Sequence, residues 1–244
     1  MKFTVITIAC NEENNIAETM QSVLSQDYKD LEYLVIDGAS SDHTVEIAKK
    51  LAHESGRDVK IYSEPDFGIY NAMNRGIARA SGDYVIFMNA GDSFFGDTVL
   101  SDIEKRIRQR GRAIYYGKAC LTRFGRDRRI KDFSQWGDSV YHALMEGHMP
   151  THQSIAAPTD ALRNHYFCEE YKIRADYDWL LKCYRDGIRF VNLDFVVCRY
   201  DYSGLSTKAM RDHSLQEETV IIRNKNYPVM GRVYQWTDRF RIFF

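Results

Sequence analysis

The chain has 244 residues, 44% hydrophobic and 13% aromatic, with a formal net charge of −1. A chain of this size folds as one large domain or a domain with an appendage and buries about three quarters of its unfolded surface, which excludes global disorder. The near-zero net charge hides a local asymmetry, because residues 105–131 concentrate Lys and Arg around a single acid, Asp127.

Residues 3–9 (FTVITIA) form a continuous apolar run rich in β-branched side chains, which predicts a strand buried on both faces. Asn11-Glu12-Glu13-Asn14 then turns the chain and offers cap oxygens to a helix with Ile16, Met20, Val23 and Leu24 on one face. The form repeats: strand 32–37, a turn rich in cap residues at 38–42, and helix 42–53 with Val45, Ala48 and Ala52 in a stripe beside Ile47 and Leu51. Strand 58–62 follows.

Residues 63–92 (SEPDFGIYNAMNRGIARASGDYVIFMNAGD) hold the next repeat: an acidic turn, a helix with Ile69, Met73, Ile77 and Ala80 at helical spacing, a Ser81-Gly82 stop, and a buried strand at 83–88. Strands alternating with helices of this length call for a parallel sheet with right-handed crossovers. The carboxyl ends of the strands then gather Asn11, Asp37, Glu64, Asp66 and Asp92 on one edge. Beyond them come helix 99–110, a hairpin around Gly125, a strand within 148–158, helix 175–187, strand 189–200, a polar helix past Ser206 and a tail mixing basic and aromatic residues.

The edge carries acids and amides but neither G-x-G-x-x-G nor G-x-x-x-x-G-K-[ST], so it lacks the backbone cradles that hold phosphate directly. Acids bind phosphate only through a metal. Asp92, just past a buried strand, reads either as a hard-oxygen ligand for Mg²⁺ or Mn²⁺ bridging a diphosphate or as a turn cap. Asp37 reads as an acceptor for a base imide or ribose hydroxyl or as the cap of its own turn. His148 and His152 are four apart, but Pro150 between them argues against one helical ligand face.

The opening strand with Asn11-Glu12, the VIDGASSDHT turn, the 63–92 run and the late RADYDWLL together resemble glycosyltransferase family 2, the inverting enzymes built on the GT-A fold. These segments span most of residues 1–200 in the family's order. The resemblance implies a Rossmann-like α/β fold with a mostly parallel central sheet flanked by helices. Residues 1–98 would form the nucleotide-sugar half, 99–205 the acceptor side, and 206–244 a helix and tail.

By the same resemblance Ala9, Asn11 and Glu12 line the nucleotide pocket, Asp37 contacts the base, and Glu64, Asp66 and Asn74 lie around the nucleotide sugar. His152 and Gln153 would contact acceptor or diphosphate, or serve only their loop. The family's metal motif usually ends in two adjacent Asp residues; Asn89-Ala90-Gly91-Asp92 keeps the last, which implies one direct carboxylate on a divalent cation. The family's Glu-Asp pair reads Ala175-Asp176, which implies Asp176 as general base, with Asp178 as its rival in the first helical turn.

The expected activity is inverting transfer of a sugar from a nucleoside diphosphate sugar to a hydroxyl of a glycan or lipid-linked saccharide, in polysaccharide biosynthesis. The altered positions Gly91 and Ala175 motivate an alternative, a nucleotide-sugar-binding module without turnover. Nucleic acid is not an expected partner, because no reader motif is present and the acidic edge repels phosphate. Five widely spaced cysteines without a C-x-x-C pair read as reduced core thiols of a cytoplasmic protein. The amino terminus reads as a strand and not a signal peptide, and no run of about 18 apolar residues predicts a membrane span. Tyr234, Trp236, Phe240, Phe243 and Phe244, set among Arg232, Arg239 and Arg241, read as a packed segment or as a contact with the inner face of the membrane.

Overall fold

The structure is a computed structural model and describes residues 1–123, 126–133, 140–201, 213–229, 231 and 234. The turn expected at Gly125 and all of the tail residues named above except Tyr234 lie outside the described residues.

Strand β1 (Phe3–Ala9) is buried at every position, as its unbroken apolar run requires. Helix α1 (Ile16–Leu24), β2 (Leu31–Asp37), α2 (Thr44–Ser55), β3 (Val59–Ser63), α3 (Ile69–Arg79) and β4 (Tyr84–Phe87) follow in alternation. The four strands lie in the order β3-β2-β1-β4, all parallel. Their register aligns Ala9 with Asp37 and Asp37 with Ser63, so three strand ends stand in a row. Successive units step to one side of β1 and then cross to the other, which opens a crevice at the carboxyl ends of β1 and β4.

Alternation along the strands divides the core into two layers. Ile6, Ile8, Leu34, Ile36, Val85 and Phe87 face α3, while Phe3, Val5, Tyr33, Val35 and Ile86 face α1 and α2. Two glycines permit the close packing. A methyl group at Gly76 would stand 2.7 Å from Ile6, and one at Gly82 would stand 2.7 Å from the Thr4 backbone nitrogen.

The second half departs from the alternation. It comprises β5 (Ser93–Phe94), α4 (Val99–Arg110), β6 (Ile114–Arg123), β7 (Arg126–Lys131), α5 (Val140–Met145), β8 (Ile155–Pro158), α6 (Thr159–Asn164), α7 (Ala175–Arg185), β9 (Phe190–Asp201) and α8 (Ser214–Asn226). β8 runs antiparallel between β4 and β6 and so continues the sheet, while β9 pairs parallel with β6. β7 forms an exposed antiparallel flap on β6.

The elements β5, α5 and α6 were not expected, being two to six residues long and too short to display a period. The expected side-chain cap of α1 is absent; the Glu12 carbonyl accepts from the Ile16 amide, and the turn's side chains reach across to the next turn instead. Helix α2 begins two residues later than expected because Asp42 spends its Oδ1 on the Thr44 amide and hydroxyl. Cys120, Cys183 and Cys198 are buried thiols, but Cys168 is half-buried and Cys10 is exposed at the carboxyl edge, so the core-thiol expectation fails for these two. No helix among the described residues is long and apolar enough to cross a membrane.

Candidate functional site

The turns after β1 and β2 are built from each other's side chains. The Asn11 amide donates to Ser40 Oγ at 2.8 Å, and Asn11 Oδ1 accepts from the Ser41 amide at 2.9 Å. The Glu12 amide donates to Thr44 Oγ1 at 2.7 Å, and Glu13 Oε2 accepts from the His43 amide at 3.1 Å. Asn11 sits in the left-handed region (φ 55°), which an asparagine tolerates better than most residues. Ala9 is buried and its carbonyl holds the Gly38 amide at 2.9 Å.

Asp37 is fully buried at this seam. Its carboxylate accepts from the Ser40 amide at 2.9 Å, from the Ser40 hydroxyl, and from Ser63 Oγ at 2.6 Å. The side chain therefore organises its own turn. Asp66 lies directly against that turn, since a methyl group at Gly38 would stand 2.5 Å from its Oδ2. Burial, with the carboxylates of Asp66, Asp37, Asp42 and Glu12, pushes the Cys10 thiol up, which marks the crevice as acid-lined.

Two other expected residues are engaged elsewhere. Glu64 forms ion pairs with Arg75 at 3.3 Å and Arg79 at 3.4 Å. Asn74 clips α3 to the loop before α7: its Nδ2 donates to the Phe167 carbonyl and to Glu169 Oε1, and its Oδ1 accepts from the Phe167 amide.

Across the crevice, the loop after β4 meets the turn before β8. Thr19 Oγ1 donates to the Asp92 carbonyl at 2.7 Å and accepts from the Gly91 amide at 3.0 Å, pinning the loop to α1. Asp92 Oδ2 accepts from Gln153 Nε2 at 2.6 Å, and Oδ1 accepts from the Asp201 amide at 3.0 Å. Burial pushes the Asp92 carboxyl up to about 7, with those hydrogen bonds opposing the shift.

Asp176 stands in the first turn of α7, 7% exposed, with its Oδ2 3.3 Å from His152 Nδ1. Asn89 Nδ2 donates to His152 Nε2 at 2.9 Å, which leaves the imidazole proton on Nδ1, directed at Asp176. Asn89, His152 and Asp176 thus form one polar chain joining the β4 loop to α7. Asp178, the rival, is 1% exposed and consumed by Lys182 at 2.6 Å and Asn226 at 2.8 Å. His148 turns away toward Glu146, and residues 152–154 form a single 3₁₀ turn.

Two amide oxygens in this group, Asn89 Oδ1 and Gln153 Oε1, are buried without a hydrogen-bond partner among the described residues. Orphaned buried acceptors beside a buried carboxylate are the hard-oxygen donors that Mg²⁺ or Mn²⁺ takes, so the residues present fit such an ion. No group of three or more His, Cys, Asp or Glu among the described residues is placed to hold a metal unaided. The remaining ligands would come from waters and from a bound diphosphate. Sequence reasoning missed Asn89, whose signal was its place at the head of the NAGD loop, and Thr19, which carried none.

A parallel sheet whose strand order reverses at a polar crevice, continued by the antiparallel strand β8, is the arrangement that the resemblance to the GT-A class of glycosyltransferase fold implies. The fold matches that of TarS from S. aureus in complex with UDP-GlcNAc, with a TM-score of 0.73 over 91% of this chain and 66% of that one, at 20% identity. It also matches the mannosyltransferase PcManGT from Pyrobaculum calidifontis in complex with GDP-Man and Mn²⁺, with a TM-score of 0.64 over 96% and 73% of the two chains, at 19% identity.

The profile of glycosyl transferase family 2 matches residues 4–172, and the chain belongs to that family. An uncharacterised glycosyltransferase of Mycobacterium tuberculosis is 37% identical over 131 residues, 52% of this chain and 46% of the relative, so the match spans about half of that protein. A PGL/p-HBAD biosynthesis glycosyltransferase of Mycobacterium bovis is 26% identical over 97% of this chain and 98% of its own. The amylovoran biosynthesis glycosyltransferase AmsB of Erwinia amylovora is 26% identical over 82% and 69%.

Proposed function

We propose that the protein transfers one sugar, with inversion, from a nucleoside diphosphate sugar to a hydroxyl of a glycan or lipid-linked saccharide, in polysaccharide or glycolipid assembly. The observation that carries this reading is the Asn89–His152–Asp176 chain, which couples the β4 loop to a carboxylate at the start of α7. The donors bound in the solved relatives, UDP-GlcNAc and GDP-Man, support a nucleoside diphosphate sugar as donor class.

In this reading the carboxylate of Asp176 takes the proton of the acceptor hydroxyl while that oxygen bonds to the anomeric carbon and the bond from that carbon to the diphosphate breaks. His152 donates from Nδ1 and fixes the direction in which the carboxylate presents its free lone pairs. Asp92, with Asn89 Oδ1 and Gln153 Oε1, would hold a divalent cation, which when bound neutralises charge growing on the leaving diphosphate. The interlocked turns of Asn11, Asp37 and Asp66 shape the lip that faces the nucleotide.

A donor screen with Mg²⁺ and Mn²⁺ tests the reading by following nucleoside diphosphate release in the presence of a saccharide acceptor. Release with opposite anomeric configuration in donor and product is expected. Tight donor binding with no release under any acceptor would replace the enzyme by a nucleotide-sugar-binding module. The same reading includes contact of the tail with the inner face of a membrane, and vesicle co-sedimentation with and without residues 230–244 tests that part separately, equal sedimentation of the two removing it.

A further inference from the structure

Helix α8 lies beyond both halves that the resemblance implies, yet its inner face closes on the turn that carries the proposed base. Glu218, Thr219, Ile222, Arg223 and Asn226 share one side of the helix at the spacing of successive turns. Ile222 and Arg223 are buried there, whereas Glu217 and Ile221 on the opposite side are exposed.

The Glu218 carboxylate gathers three consecutive amides. Its Oε1 accepts from Lys172 at 2.8 Å, and its Oε2 accepts from Ile173 and Arg174, each at 3.0 Å. Successive amides turned toward one carboxylate form an anion-binding concavity, and here the anion is a side chain of the same protein. Helix α7 has no side-chain cap of its own at Arg174, so Glu218 supplies from another helix the negative charge that a helix start favours. One residue along, Thr219 Oγ1 accepts from Arg174 Nε at 3.0 Å while donating to the Leu215 carbonyl at 2.7 Å. Two turns later, Asn226 Nδ2 donates to Asp178 Oδ1 at 2.8 Å.

These contacts bracket Asp176. Residues 172–174 are tied before it and Asp178 after it, by side chains separated by about 12 Å of helical rise between Glu218 and Asn226. Asp176 itself uses its Oδ1 to accept from the Tyr177 amide of its own turn at 2.9 Å, and its Oδ2 stands 3.3 Å from His152 Nδ1. The His152 contact sets the direction of the carboxylate, while the place of the turn that carries it is set by α8.

On the proposed transferase reading, we infer that Glu218 is a positioning residue for transfer: with Thr219 and Asn226, its carboxylate sets where the first turn of α7 presents Asp176 to the acceptor hydroxyl. Glu218 exchanges no proton and touches no substrate. Its effect passes through the backbone of residues 172–176, and a misplacement of about 1 Å at a reacting group costs about 100-fold in rate.

The test is Glu218→Gln, which keeps the volume but leaves one acceptor oxygen where the carboxylate has two. Turnover, read as nucleoside diphosphate release with acceptor present, should fall about 10- to 100-fold in kcat while donor KM stays within about twofold. Glu217→Gln removes the same charge from the exposed side and should change neither, and Glu218→Asp should recover part of kcat. In an Asp176→Asn background, Glu218→Gln should lower the residual rate no further, because its loss passes through Asp176. A fully additive loss there, an unchanged kcat in Glu218→Gln, or a fall in kcat matched by an equal fall in folded fraction would each overturn the positioning role. If Glu218→Gln does not fold, Thr219→Val takes its place: it keeps the branched shape, removes the acceptor of Arg174 Nε, and should lower kcat about threefold, an unchanged kcat overturning the role. If the wild type releases no nucleoside diphosphate, the transferase reading fails, and the imidazole resonances of His152 still report on Glu218. They shift in Glu218→Gln when Asp176 moves, and resonances that do not shift would overturn the inference.

Discussion

Around the ends of β1, β2 and β3, polar side chains are spent on one another: Asp37 on Ser40 and Ser63, Asn11 on Ser41, Glu13 on His43, Asp42 on Thr44. Around the β4 loop and α7 they are left over: two amide oxygens without a partner among the described residues, and a buried carboxylate raised to about 7. The first region uses polar groups to hold a shape, and the second holds polar groups ready for something that arrives. A satisfied network rigidifies, whereas an unsatisfied buried group costs stability until a ligand completes it. Substitutions in the first region should therefore read out mainly as stability, and those in the second mainly as turnover.

The largest contrast is expected at Asp176. Asp176→Asn keeps the size of the side chain and removes the proton acceptor, so kcat should fall about 10²- to 10⁴-fold while donor binding and the unfolding midpoint hold. Steady-state kinetics beside thermal denaturation measures both. A stability loss equal to that of a core substitution, with turnover preserved, would put Asp176 among the shape-holding groups and break the comparison.

Glu32 gives the matching test on the other side. It is 2% exposed on β2 and accepts from Thr4 Oγ1 at 2.8 Å, the Ser81 amide at 2.6 Å and Lys60 Nζ at 2.9 Å. Burial pushes its carboxyl up, but hydrogen bonds from Lys60, Ser81 and Thr4 outweigh that and leave it lowered from 4.5 to about 2. Because the folded value lies below the unfolded one, the stabilisation is complete above the ordinary carboxylate range and is lost as pH falls from 4.5 through about 2. Glu32→Gln should cost about 2–3 kcal/mol at neutral pH and flatten the acid limb of the stability curve, with kcat unchanged. Denaturant titrations at pH 7 and pH 3 decide it: an equal loss at both would remove the ionic account.

The two regions also differ in how far they can be read from the chain. The parallel half was legible because each unit declares itself locally: β1 is seven consecutive buried residues, and the α3 stripe repeats at helical spacing. Asp92 and Asp176 were legible through the NAGD loop and the RADYDWLL segment. What joins them was not, since His152 reaches Asp176 and Asn89 only after β8 is inserted between β4 and β6. Local patterns carry periodicity and caps; orphaned groups are a property of the assembled neighbourhood.

Asn74 sits where the two kinds of region meet and should give the smallest effect. The resemblance places it around the nucleotide sugar, while its three hydrogen bonds go to Phe167 and Glu169. Asn71 also donates to Glu169 at 2.9 Å, so Asn74→Ala leaves one of the four hydrogen bonds of the clip in place. The expected cost is about 1–2 kcal/mol of stability, because each lost bond frees a group at a half-open surface that water can partly satisfy. Donor KM should move less than about twofold, within the effect of ordinary surface changes. If donor KM instead rises tenfold while the unfolding midpoint is unmoved, the clip opens when donor binds, and Asn74 passes from the shape-holding groups to the ligand-seeking ones.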